Sequence, residues 1–436
     1  MEQYMMTQQA MTLGWDFFIP LLIMIVLLIM SVRIWVVFGL GSLLILISTD
    51  VLPATILSDG LFDGINSFAL IAVPLFILTG DALVRSGLLD RLLDFVEATM
   101  GSVKTGLGTS TVLGCGLFAC ISGSDASDAA AIGRVTIGRL ANKGYPMPYA
   151  CALVASGACT GVLIPPSISY IIIGLILGIS ASTLFKAAAI PGALILVSVI
   201  ITNIMVNHVR GYEHTEGAFS FKGWLRSVYA ARYALTVPFI ILGGIYSGIF
   251  TPTESAAIAS IYTLGIGFFQ KRIQLKDIPN ILETSARIAG IIVPIIAVAL
   301  PLAQTLSALQ IPQFVVQGLT GITENPYLIM GLMLALLMAA GCVMETTPNI
   351  VILAPILLPL AQSIGMHDLH FCIFMVTALG IGFITPPLGL NLFVVSGLYG
   401  TPVLSIAKYA IPFALLMLVV ILLIMFVPWL SLVFVT

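Results

Sequence analysis

Charge is what this sequence of 436 residues has least of: 8% are Asp, Glu, Lys or Arg, where a soluble globular chain carries about 25%. With 59% hydrophobic residues and a mean hydropathy of +1.14, it cannot keep enough polar surface toward water. Lipid is the solvent that remains. Cysteine is sparse as well. Cys115, Cys120, Cys151, Cys159, Cys342 and Cys372 lie in apolar segments without a CxxC pair, so they read as small buried hydrophobes. No basic cluster points to nucleic acid, and a net charge of −2 says nothing of partners. His208, His214, His367 and His370 fall at loop or span edges, and no metal-ligand spacing or nucleophile–base set appears, which argues against an enzyme. Met1 to Asp16 lacks a basic flank and a small-residue cleavage site, so the first apolar segment reads as a retained helix. Gly211 to Trp224 is the single sizeable polar loop, and no soluble domain is in evidence.

What is present is apolar and long. In lipid the backbone must satisfy its own hydrogen bonds, so the spans are helices or a closed barrel. Runs such as Phe17 to Met30 and Phe413 to Val427 argue for helices, where a barrel would show short alternating segments. The expected fold class is therefore an all-α polytopic membrane protein. At about 20 residues per span, ten crossings fall near 17–33, 34–49, 66–84, 149–178, 183–207, 233–250, 254–270, 286–306, 370–398 and 404–430. Basic residues cluster at Arg85 and Arg91, at Arg134, Arg139 and Lys143, at His208 to Arg232, and at Lys271, Arg272 and Lys276. Asp50, Asp59, Asp63, Glu254 and Asp368 mark the other side. Lys and Arg stay cytoplasmic, which is satisfied if both termini are outside. Leu88 to Thr99 mixes Asp90, Arg91, Asp94 and Glu97 with Leu, Val and Phe, and is expected to lie along the interface.

Two apolar regions, 106–142 and 327–363, do not fit as single spans. In the first, each arm around Ser122 to Ser127 holds about 15 residues, roughly 23 Å of helix, short of a core of about 30 Å. Two short arms with a polar Gly/Ser tip describe a re-entrant hairpin. The second region repeats the design, with its tip at Gly341 to Pro348. Such backbone is tolerated at this depth only inside protein or along an aqueous cavity. After each hairpin comes a span interrupted by a proline pair. Superposing Pro165-Pro166 on Pro386-Pro387 aligns Gly161 with Gly382 and Val154 with Met375, and brings the tips to within about two residues. Proline removes a donor and clashes with the carbonyl four residues back, so both helices are expected to unwind there. The charges put the two hairpins on opposite faces. That is an inverted repeat, with sites expected at the midplane between broken helices. The chain then divides into N-terminal scaffold helices (1–105), a first hairpin and broken helix (106–207), linking and scaffold helices (208–326), and a second hairpin and broken helix (327–436).

Unwound carbonyls and hydroxyls suit a sodium ion. Ser122 and Ser124 with carbonyls near Gly161 and Ile164 form one candidate site. Thr346 and Thr347 with carbonyls near Gly382 and Thr385 form the other. The helix N-termini that start after each tip suit an anionic substrate. Candidate substrate contacts are Ser124, Asp125, Ser167, Thr346, Thr347 and Asn391. A carboxylate at the bilayer centre costs about 2.5–3.5 kcal/mol, so Asp125, Asp128 and Glu345 each need a reason. Each is either a cation or substrate contact or a helix cap. Arg134 and Arg139 are expected to snorkel to the cytoplasmic interface, and Arg287 and Lys408 to mark boundaries.

The stretch GGIYSGIFTPTESAAIA (Gly243 to Ala259) resembles a hallmark of the large membrane subunit of the tripartite ATP-independent periplasmic (TRAP) transporters. ISGSDASDAAAIG looks like that family's first hairpin tip, and LIPPSISYIIIG like its first broken helix. GCVMETTPNIVILAPILLPLA and GFITPPLGLNLFVVSG look like the second pair. The resemblance implies an elevator-type sodium symporter of the bacterial inner membrane, working with a small four-helix membrane (Q) subunit and a periplasmic substrate-binding (P) protein. It implies sodium ligands at Ser122, Gly161, Ile164 and Pro166, and at Gly341, Thr385 and Leu388; a further family serine falls on Ala119 here. No cofactor beyond the coupling ion Na+ is implied. Family cargoes are organic acids, among them C4-dicarboxylates, sulfonates and sialic acids, and METTPNIVILAP looks closer to the dicarboxylate branch. Asp128 matches the acidic residue of the family tip, whereas Asp125 departs from it. Two other classes of reading stand beside this one: an ion channel, and a single-component sodium/dicarboxylate carrier.

Overall fold

Proline alone does not end a helix in this chain: Pro191, Pro238, Pro294 and Pro412 lie inside long helices, and the backbone leaves the helix at the pairs Pro165-Pro166 and Pro386-Pro387. The computed structural model describes residues 14–53, 55–100, 105–213 and 220–435, and every regular element among them is helical. Most of Met1 to Asp16 and part of the Gly211 to Trp224 loop, including His214, lie outside the described residues. Seven of the described helices are long and apolar enough to cross a membrane. The first two expected spans are α1 (Trp15–Ile29) and α2 (Ile34–Thr49). Ser31 between them adopts a positive φ of 60°.

Next come α3 (Thr55–Ile65), α4 (Ala72–Arg85) and α5 (Leu88–Met100). α3 was not expected from the sequence, since its eleven residues carry Asp59, Gly60, Asp63 and Gly64. Its small residues let it pack on α13 (Ile278–Ala308): a Cβ on Gly64 would stand 3.1 Å from the Ala297 and Ile296 carbonyls. α5 is the expected amphipathic helix. Leu88, Leu89, Leu92, Leu93 and Val96 are buried, and its contacts are with α6 (Gly106–Ser122) and α11 (Phe221–Tyr246). Protein thus covers the face that was expected to meet the interface.

The first hairpin is α6 and α7 (Asp125–Asn142), followed by α8 (Met147–Ala158), a short 3-10 turn and α9 (Ile168–Leu177). α10 (Ala181–Arg210) leads to α11, which starts at Phe221 and not near 233. Ser220 accepts from Gly223 N at 3.2 Å, and Trp224 Nε1 donates to Thr99 Oγ1 at 3.1 Å, so the end of the expected polar loop is helical and tied to α5. α12 (Pro252–Phe269) opens on a capping box, with Thr251 and Glu254 bonded to each other's backbone amides. α13 begins at Ile278, earlier than expected, and α14 (Ile311–Thr320) is a short helix that the sequence reading had not separated out.

The second hairpin is α15 (Pro326–Val343) and α16 (Thr346–Ser363), followed by the halves α17 (Asp368–Gly382) and α18 (Leu390–Tyr399), then α19 (Val403–Phe426) and the single turn α20 (Trp429–Leu432). The halves are exchanged between the repeats. α9, the far half of the first broken helix, packs on α16 of the second hairpin; α18, the far half of the second, packs on α7 of the first. α13 contacts α2, α3 and α4 as well as α16.

The base of the first hairpin is anchored by a buried polar cluster. Glu213 accepts from Leu107 N at 3.0 Å and from the Tyr145 hydroxyl at 2.6 Å, and its own amide donates to Asn207 Oδ1 at 3.1 Å. Asn207 Nδ2 donates to the Tyr145 hydroxyl at 2.8 Å. The carboxylate therefore satisfies an amide that the first turn of α6 would leave open.

Candidate functional site

Each hairpin ends where a helix runs out of partners. The first tip turns at Gly123, whose φ of +63° is open to glycine at no steric cost. The second turns through Met344 and Glu345, both extended. Each tip is then bonded to its own broken helix by the same contact. Ile168 N donates to the Gly123 carbonyl at 3.1 Å, and Gly389 N donates to the Cys342 carbonyl at 3.2 Å. Both donors stand two residues after the second proline of a pair, as the superposition of the repeats requires. The prolines themselves have no amide to give, and it is the second N–H beyond each pair that reaches the tip.

The glycines of the broken helices make this approach possible. A Cβ on Gly161 would lie 2.7 Å from Asp128 Oδ2 and 2.8 Å from Asp125 N. A Cβ on Gly382 would lie 2.6 Å from the Gly341 carbonyl carbon, and one on Gly341 would meet the Leu379 carbonyl at 2.5 Å. Both breaks are closed differently. Ser167 Oγ donates to the Val162 carbonyl at 2.8 Å, whereas Asn391 N donates to the Phe383 carbonyl at 3.1 Å. Val162 and Phe383 are equivalent under the superposition.

At the first tip Ser122, Asp125 and Asp128 are buried, and Ser124 and Ile164 are half-buried. Ser122 Oγ donates to Asp128 Oδ1 and receives the amide of Ser124 at 3.3 Å. Asp128 is thus no helix cap. One oxygen holds the Ser122 hydroxyl, the other faces Gly161 and has no hydrogen-bond partner. Asp125 Oδ2 is also without a partner, and the residue is 2% exposed. Ser124 stands at the cap position of α7 and makes no side-chain cap bond. The described ion pairs (Arg85–Asp81, Arg139 with Asp94 and Glu97, Arg287–Glu283) lie elsewhere. Arg139 therefore reaches α5 carboxylates at 3.1 and 3.3 Å where the sequence suggested snorkelling to the membrane surface.

Asn391 comes to this first site although it belongs to the second repeat. Its Nδ2 donates to the Ala155 carbonyl at 3.2 Å and approaches Cys159 Sγ at 3.5 Å, while its Oδ1 has no partner. The exchange of α18 onto α7 and α8 brings it there. Ser156, a buried hydroxyl one turn before Gly161, also lacks a partner and had not been singled out. Its signal was available: a serine in an otherwise apolar half-helix next to the break.

The second site is more open. Gly341, Thr346 and Thr347 are buried, Thr385 is half-buried, and Leu388 is 42% exposed on a cavity of about 230 Å³. Glu345, Leu390 and Phe393 share that cavity. Glu345 sits at the cap position of α16 but makes no cap bond, and Thr346 Oγ1 has no partner. Thr385 Oγ1 donates to the Ile381 carbonyl at 2.8 Å. The tip is held instead by Asn349, whose Nδ2 donates to the Ala340 and Met344 carbonyls at 3.1 and 3.0 Å. Sequence reasoning passed over Asn349 because it lies beyond the tip. An amide side chain one turn into an apolar arm was the signal.

Fold and site together define a multi-pass helical membrane protein with paired hairpins and broken helices, the form of a carrier. Residues 21–430 match the family described as tripartite ATP-independent periplasmic transporter, DctM component, and the chain belongs to that family. It is 35% identical to the C4-dicarboxylate TRAP transporter large permease protein DctM of Pseudomonas aeruginosa, over 85% of this chain and 87% of that one. It is 34% identical to the isethionate TRAP transporter permease protein DctMQ of Oleidesulfovibrio alaskensis, over 92% of this chain and 63% of that longer protein. The fold is similar to the crystal structure of the Alcanivorax borkumensis YdaH transporter, with a TM-score of 0.64 and 15% identity over 85% of this chain and 87% of that one. At that identity the likeness concerns the fold alone. The chain is accordingly a large permease subunit serving solute uptake and not an enzyme.

Proposed function

We propose that this subunit carries a small organic anion inward with sodium, by an elevator motion in which the two hairpins and broken helices travel as a body. The observation that carries the sodium reading is the first tip. Two buried carboxylates, Asp125 and Asp128, each hold an oxygen without a partner, and Asp128 accepts the Ser122 hydroxyl proton, so the serine oxygen is left as an acceptor. Buried charge of one sign without a basic partner is costly unless a cation joins it. Sodium is taken at Ser122, Gly161, Ile164 and Pro166, and a second sodium at Gly341, Thr385 and Leu388. The solute lies between the tips, within reach of Ser124, Asp125, Ser167, Thr346, Thr347 and Asn391.

The cargo class rests on two supports. The first turns of α7 and α16 direct amides toward the tips, and such ends favour anions. The relatives named for C4-dicarboxylate and isethionate take anionic organic acids. A C4-dicarboxylate or related carboxylate or sulfonate is therefore the expected solute. A small four-helix subunit and a periplasmic binding protein complete the system in the inner membrane, with both termini of this chain on the periplasmic side. Reconstitution tests the reading: vesicles containing all three components accumulate succinate or isethionate on an inward sodium gradient. Uptake that proceeds equally on potassium alone overturns the sodium coupling, and uptake by this chain without its binding protein favours a single-component carrier.

A further inference from the structure

The first turns of α11 expose a face that belongs neither in water nor in hydrocarbon. Phe221, Leu225 and Tyr229 are 65%, 54% and 67% exposed, and Lys222 and Arg226 stand exposed among them. At about 3.6 residues per turn these five side chains fall on one side of the helix. Ala231, on the other side, is buried, and Trp224 there donates to Thr99 of α5 at 3.1 Å. A solvated charge run has no use for three large apolar side chains, and a run within hydrocarbon does not carry two cations. The boundary between headgroups and acyl chains takes both. Length agrees: the 26 residues of α11 make about 39 Å of helix, so about 9 Å projects beyond a core of about 30 Å.

Arg232 starts deeper but is carried to the same face. Its guanidinium lies 3.9 Å from the ring centroid of the exposed Tyr229 and 4.3 Å from that of Tyr233. It donates to the Tyr229 carbonyl and, at 3.1 Å, to the Tyr233 hydroxyl. Of five N–H donors three remain for an acceptor, on a guanidinium that the two rings hold in place. No acid answers these cations. Phe221 to Tyr246 contains neither Asp nor Glu. Among the described residues Lys222, Arg226 and Arg232 have no ion-pair partner, and Asp94 and Glu97 of the neighbouring α5 are taken by Arg139. Glu213, ahead of the helix, is buried against Leu107 N and the Tyr145 hydroxyl.

We infer that the start of α11 binds an anionic phospholipid. Its phosphate meets Lys222, Arg226 and the free edge of Arg232, while Phe221, Leu225 and Tyr229 enter the boundary beside its chains. With the termini on the periplasmic side, as proposed above, this lipid belongs to the cytoplasmic leaflet, where Lys and Arg are favoured. The bond from Trp224 to Thr99 passes the anchorage on to α5. Nothing in the inference depends on the coupling ion or the cargo.

A fluorophore on Ala230→Cys tests it, since Ala230 is exposed on this face and the six native cysteines are buried. The labelled subunit, with its small membrane partner, is placed in phosphatidylcholine vesicles containing spin-labelled phosphatidylglycerol or spin-labelled phosphatidylcholine. Half-quenching is expected at an about tenfold lower fraction of the anionic lipid. Lys222→Gln combined with Arg226→Gln, both exposed and safe for folding, brings the two lipids close to parity. Lys222→Arg combined with Arg226→Lys keeps the preference. Equal quenching of the parent by both lipids overturns the site, as does a preference that survives the double Gln substitution. A preference that millimolar inorganic phosphate abolishes at constant ionic strength assigns the site to a free anion. One that this chain shows alone and loses in the complex assigns the face to the small subunit. Either result overturns the lipid.

Discussion

Gly382 lies so close to Gly341 that a Cβ on it would stand 2.6 Å from the Gly341 carbonyl carbon, and Gly161 meets the first tip in the same way, at Asp125 and Asp128. Each broken helix thus touches its hairpin through a glycine, with a backbone bond from just beyond the prolines completing the clasp. Both tips are thus held alike, each by its own broken helix.

Gly161→Ala and Gly382→Ala are expected to separate tip from helix. Overpacking of this kind costs about 1–3 kcal/mol, which the whole protein tolerates better than the site does. Sodium titration of uptake should show at least a tenfold higher half-saturation in each variant, with unchanged elution on size exclusion.

Ser122→Val and Thr385→Leu each remove one hydroxyl, at the first tip and in the second broken helix. Ser122 is bonded to Asp128, and Thr385 to the Ile381 carbonyl, so neither loss opens a large cavity. Sodium-dependent uptake is expected to vanish in both while the proteins stay folded. Retained sodium dependence in both would remove the ion-site assignment.

Asp128→Asn keeps size but halves the capacity to accept. The Ser122 hydroxyl then competes with an amide, and the charge beside Gly161 is gone. About tenfold weaker sodium activation is expected, equivalent to about 1.4 kcal/mol. Asp94→Asn is the contrast: its pair with Arg139 is exposed, and such pairs contribute about 0–1 kcal/mol. Sodium activation should not move there.

The hairpins and breaks were legible because their cause is local. A Gly/Ser or Thr/Pro tip between short apolar arms, and a proline pair at matching distance, speak for themselves in sequence. Asn391 was legible only as a polar residue near a break; that it lies beside Ala155 and Cys159 of the first repeat follows from the exchange of α18 onto α7 and α8, a long-range fact. Asp128 looked like a cap because caps also place a carboxylate in the first turn of a helix, and only geometry shows it on Ser122. α3 was invisible since glycine and aspartate disfavour helix, and packing on α13 overrides that preference.

Glu213 makes a prediction about stability alone. Glu213→Ala leaves Leu107 N and the Tyr145 hydroxyl without their buried acceptor, a loss of about 1–3 kcal/mol for each unsatisfied group. Thermal unfolding in detergent should shift downward by several degrees. Sodium activation of the surviving protein should be normal, since the cluster lies at the base of the hairpin and not at its tip.

Solute uptake measured against the cation gradient tests the central claim most directly. Vesicles holding this subunit with its small membrane partner and a solute-loaded binding protein are diluted into sodium or into potassium at equal ionic strength. The account predicts accumulation above equilibrium in sodium, abolished by Ser122→Val, and none in potassium. Equal accumulation in both cations, or sodium-driven accumulation that survives Ser122→Val together with Thr385→Leu, would contradict it.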